Sequence, residues 1–138
     1  MARRSLIIRT VYAICLLLAT CTHVIFDVQY GMLLDGLRPL GYPMIARLYW
    51  ASLTFLDPLA ALLLYIRPRA GLVLCAGIIV TDVINNGWVG YTRSEVETDF
   101  LLGYLAQVAF LIFVLATIRY AWEGLPKRHP QSQSDSSA

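Results

Sequence analysis

Residues 44–66, MIARLYWASLTFLDPLAALLLYI, and residues 70–91, AGLVLCAGIIVTDVINNGWVGY, are two long apolar runs separated only by Arg67, Pro68 and Arg69. As a helix rising about 1.5 Å per residue, each run is long enough to cross a hydrocarbon core of ~30 Å. With so few residues between them, the two helices must form a tight antiparallel hairpin.

Two further apolar blocks flank the hairpin, at about 6–26 and 100–121. Over the 138 residues, hydrophobic side chains make up 58% and charged ones 14%, against roughly half and a quarter in an ordinary soluble domain. A helix that is apolar on every side can also be the core of a large soluble protein, but this chain is too short to supply a covering layer. The expected fold is therefore all-α: an integral membrane four-helix bundle occupying residues 1–122. Beyond it, residues 123–138 are rich in Pro, Ser and Gln and hold too little apolar surface to fold, which predicts a disordered cytoplasmic tail.

The formal net charge is only +2, too slight for a nucleic-acid surface, but its distribution is informative. Arg3, Arg4, Arg9, Arg67, Arg69, Arg119, Lys127 and Arg128 all fall on one side of the four crossings, and Arg38, Arg47 and Arg93 on the other. The acids Asp27, Asp35, Glu95, Glu97 and Asp99 gather with the smaller set. By the positive-inside rule the N-terminus, the turn at 67–69 and the C-terminus are expected in the cytoplasm. Short loops and the absence of a glycosylation sequon fit a multi-pass protein of a bacterial inner membrane.

The first block resembles a secretory signal, since Arg3 and Arg4 precede an apolar run and Leu18–Ala–Thr–Cys21 approximates a lipoprotein cleavage box. Thr20 is a poor residue before the cysteine, however, and the run continues through Phe26. Cleavage would also spoil the charge pattern, so the block is read as a spanning helix.

Residues 27–43 carry Gly31, Gly36, Pro39, Gly41 and Pro43 as breakers and are expected to form a loop packed on the helix ends, with a short interfacial helix as the alternative. Tyr30, Tyr42, Tyr49, Trp50, Trp88, Tyr91 and Phe100 mark the outer interface, and Tyr65, Tyr120 and Trp122 the inner one. Cys15, Cys21 and Cys75 lie in the apolar blocks with no disulfide or metal spacing.

Ionisable groups in a helix centre cost roughly 2.5–3.5 kcal/mol each on insertion scales, so they face the bundle interior or a wet cavity. Asp57 and Asp82 lie near the middles of the second and third blocks. Folding the hairpin about Pro68 leaves them about one helical turn apart in depth, on the order of 5 Å. Asp82, Asn85 and Asn86 follow the i, i+3, i+4 pattern and place a carboxyl and two amides on one face of the third helix.

On the first helix His23 and Asp27 are i, i+4 neighbours, and a hydrogen bond between them is expected. Arg47, Trp50, Thr54 and Asp57 share a face of the second helix. Arg47 is expected to snorkel outward or to pair with Asp27, Asp82 or the acids at 95–99. Gln107 lies at similar depth on the fourth helix. Pro58 frees a backbone carbonyl one turn earlier, and Gly71, Gly77 and Gly87 are read as close-packing positions.

These placements predict a polar chamber in the outer half, lined by His23, Asp57, Asp82, Asn85, Asn86 and Gln107. No nucleophile motif, metal-ligand cluster or phosphate loop accompanies it, and no cofactor or metal is expected. Three functions are compatible. One is a membrane-complex subunit or assembly factor whose buried polar groups join helices. A second is binding or transport of an apolar or amphiphilic small molecule or lipid. A third is an intramembrane acid/base enzyme such as an isomerase. Besides lipid, partners would be other membrane subunits or further copies of the chain, which the charge bias requires to be parallel.

Overall fold

The computed structural model describes residues 2–92 and 98–125. Four long helices account for most of them: α1 (Ala2–Tyr30), α2 (Met44–Ile66), α3 (Pro68–Thr92) and α4 (Thr98–Glu123), with a 3-10 helix at Met32–Leu37 between α1 and α2. All four long helices are long and apolar enough to cross a membrane. Arg93, Glu95, Glu97, Lys127, Arg128 and the tail at 126–138 lie outside the described residues.

Local chemistry sets the helix ends. Pro43, extended at ψ 144°, caps the start of α2. The α2–α3 turn is a single residue, Arg67, whose N–H donates to the Leu63 carbonyl at 2.9 Å. Pro68 then opens α3, where its missing N–H would have had no helical partner anyway. A Cβ on Gly71 would run into the Leu63–Leu64 backbone, so only glycine lets α3 leave the turn so close to α2.

Each helix packs on the next and α4 returns to α1, while α1 and α3 barely touch across the diagonal. Side-chain bonds give the antiparallel register. Near the α2–α3 turn, Arg9 donates to the Leu64 carbonyl at 2.7 Å, while at the far end Thr54 donates to Asp27 at 2.6 Å. α1 and α4 are joined by Ser5 donating to the Ala121 carbonyl at 2.6 Å. Tyr12 donates to the Val114 carbonyl at 3.2 Å and lies 2.7 Å from the Thr117 hydroxyl. Tyr12 is fully buried, with edge contacts to Phe110 and Phe113.

The core is small, built on Tyr12, Leu16, Leu53, Leu64, Leu72 and Val114 with alanines between them. Large apolar side chains cover the outside instead, with Phe55 75% exposed and Ile112 63% exposed. In water such a surface would aggregate; facing lipid tails it has no such cost. α4 is the most peripheral helix, burying only Val114 and Ala121.

The connection after α1 is both a packed loop and a short helix. Leu34 and Leu37 of the 3-10 segment are buried against the helix ends. To reach that position Gly31 takes φ +81°, and Leu33 and Leu34 adopt left-handed angles that favour glycine.

Candidate functional site: a polar centre remote from the α2–α3 turn

Asp57, on the bundle-facing side of α2, is 1% exposed, and neither of its carboxyl oxygens receives a hydrogen bond among the described residues. Its nearest ionisable neighbour is His23 on α1, with Nε2 3.6 Å from Oδ2. That is contact range without a hydrogen bond. Asp82 on α3 is 5% exposed, lies within electrostatic reach of Asp57, and also has an unbonded carboxyl oxygen. Tyr49 stands beside Asp82 and holds Thr81 at 2.8 Å through its hydroxyl. His23 and Asp57 thus face each other in the interior, with Asp82 of a third helix within electrostatic reach of Asp57 and acceptor capacity to spare.

A second group completes its bonds within the protein. Asn86, buried on α3, accepts from the Trp50 indole N–H at 2.7 Å and donates to the Gln107 side-chain carbonyl at 2.8 Å. This chain ties α2, α3 and α4 together. Asn85, one residue earlier and about 100° around the helix, is half-buried with its side-chain nitrogen unbonded.

The six residues expected to line one chamber therefore divide. His23 and Asp57 face each other with Asp82 in electrostatic reach of Asp57, Asn86 and Gln107 are joined by a hydrogen bond, and Asn85 joins neither group. Two pairings differ from expectation. His23 faces Asp57, and Asp27 accepts from Thr54 instead. Arg47 is buried and donates to Asp35 at 3.1 Å and to the Leu34 carbonyl at 3.4 Å, because the 3-10 segment folds back over the end of α2. Tyr49, read only as an interfacial aromatic, is a neighbour of the acid centre. Its position eight residues before Asp57, two helical turns along, was the available signal.

Of the three α3 glycines read as close-packing positions, Gly71 and Gly87 sit at close approaches, Gly87 against Tyr104. At Gly77 nothing lies within 4 Å of a would-be Cβ.

A groove of about 550 Å³ runs between α1 and α2 beneath the 3-10 segment, and none of the six residues lines it. Its walls are mostly apolar, with Asp27, Ser52 and Thr54 as polar points. Asp27 and Thr54 lie one turn from His23 and Asp57, respectively, so the Asp27–Thr54 bond separates the groove from the acid–imidazole centre. Among the described residues, no group of three or more His, Cys, Asp or Glu is placed to hold a metal ion.

Compared with protein-family models, curated proteins and solved structures, the chain matches none.

Proposed function

We propose that this chain is a multi-pass protein of a bacterial inner membrane, with both termini cytoplasmic, whose outer half binds a small molecule presenting a hydrogen-bond donor or a positive charge. The orientation rests on the eight-to-three division of the basic residues. The observation that carries the binding reading is Asp57, fully buried with two acceptor oxygens unfilled, beside His23 and Asp82. A bundle that needed polar groups only to join helices has no use for such a carboxyl, because burying one without a donor costs several kcal/mol.

Native mass spectrometry of the protein extracted from its own membranes in mild detergent tests the reading. A small molecule bound to the wild type and lost in Asp57→Asn supports it. A wild-type spectrum indistinguishable from that of Asp57→Asn counts against it.

The subunit reading is favoured by a separate observation. The Trp50–Asn86–Gln107 chain is satisfied within the protein and acts as interhelical glue, while α4 leaves an apolar face exposed through Leu101, Leu102, Leu105, Ile112 and Leu115. Crosslinking in native membranes that captures one discrete partner through α4 supports it. An acid/base enzyme would use the same His23–Asp57 pair, and no feature of the site favours it over binding.

A further inference from the structure

We infer that the groove between α1 and α2 is a binding site for an amphiphilic amine, whose ammonium is received by Asp27 and whose alkyl or aryl body lies along the apolar walls. The inference rests on the reading above only in taking the outer half as the binding half; its carboxylate is a different one.

Charge identifies the occupant. Among the described residues Asp27 is the only charged one lining the groove, and no cationic side chain lines it to receive an anionic headgroup. The deeper ionisable groups are His23, one turn from Asp27 and in contact with Asp57, and the carboxyls Asp57 and Asp82; none of the three lines the groove. Arg47, the cation nearest in sequence to the α2 wall, is turned away into Asp35 and the Leu34 carbonyl. A phosphate or carboxylate would thus meet the Asp27 carboxylate with no cation beside it, whereas an ammonium would gain charge-assisted hydrogen bonds.

Shape supports the same class. About 550 Å³ is within the usual range for small-molecule sites, roughly 300–1,000 Å³. The walls from Leu48 to Phe55 run about 10 Å along α2, enough for a short alkyl chain or an aromatic body. Asp27 is already held by Thr54, which fixes its carboxyl before a ligand arrives. Leu33, at the rim, is part of the left-handed pair of the 3-10 segment, so that segment is held in its position over the groove by its packing and not by its own preference.

The test is calorimetric titration of octylamine and of octanol into the protein in phosphatidylcholine nanodiscs, with empty nanodiscs subtracted. The proposal predicts octylamine binding at least tenfold tighter than octanol. In Asp27→Asn, which can still accept from Thr54, that preference disappears. Ala51→Phe, which fills the groove, removes the octylamine signal and serves as the deciding variant should Asp27→Asn not fold.

Equal affinity for amine and alcohol would overturn the assignment and leave the groove as a seat for an ordinary lipid chain. An amine preference that survives Asp27→Asn but vanishes in Asp57→Asn would also overturn it, moving the ligand to the deeper centre. Retention of the preference in Asp57→Asn, with its loss in Asp27→Asn, supports the groove even if the Asp57 reading fails.

Discussion

His23 on α1 and Asp57 on α2 face each other at 3.6 Å inside the bundle, and among the described residues neither Asp57 oxygen takes a hydrogen bond. The relationship is costly for stability. Burying a carboxyl whose acceptor oxygens are unfilled is itself costly, and an amide of the same shape cannot ionise. Asp57→Asn is therefore expected to leave unfolding free energy unchanged or raised by about 1 kcal/mol, measured by reversible denaturation in mixed micelles. A loss of more than about 2 kcal/mol would make Asp57 a structural residue.

Asn86 should behave in the opposite way. Its truncation to alanine orphans the Trp50 indole and removes the donor to Gln107. Interhelical bonds in membranes average about 0.6 kcal/mol each, so Asn86→Ala is expected to cost about 1–2 kcal/mol. A double-mutant cycle with Gln107→Ala should return a coupling of about 0.6 kcal/mol, and a coupling near zero would show that the bond does not hold α3 to α4.

The helical glycines give a paired prediction. Gly71→Ala places a Cβ against the Leu63–Leu64 backbone, where nothing flexible can yield, and should cost about 1–3 kcal/mol. Gly77→Ala meets nothing within 4 Å and should be neutral or stabilising by up to about 1 kcal/mol. Unfolding of the two variants in the same micelles checks the contrast.

Orientation is open to a simple assay. Fusions after residue 125 should give fluorescence with green fluorescent protein and no activity with alkaline phosphatase, because the flanking basic residues are expected inside. Converting Arg67 and Arg69 to glutamate should weaken that preference, read as a rise in phosphatase signal.

Much of this architecture was readable from the chain. Hydropathy alone located the four helices, and folding the hairpin about Pro68 placed Asp57 and Asp82 at similar depth; in the structure both are buried, with Asp82 in electrostatic reach of Asp57. Periodicity says which residues share a face, but not which neighbouring helix that face meets. His23 and Asp27 share a face of α1, yet His23 meets Asp57 and Asp27 meets Thr54. For the same reason Asn85 and Asn86, adjacent in sequence, have different surroundings. The Arg47–Asp35 pair depends on the 3-10 segment folding back through the left-handed residues Leu33 and Leu34, for which no hydrophobic period exists. The α1–α2 groove was not readable either, because a space between helices depends on how closely they pack.

The most direct test of the binding reading is a crystal structure grown from a lipidic phase, examined around Asp57. The account predicts non-protein density within about 3 Å of the Asp57 carboxyl, between His23 and Asp82. A site filled only by protein, with Asp57 bonded to donors from the neighbouring helices, would contradict it and leave the polar residues as helix-joining groups.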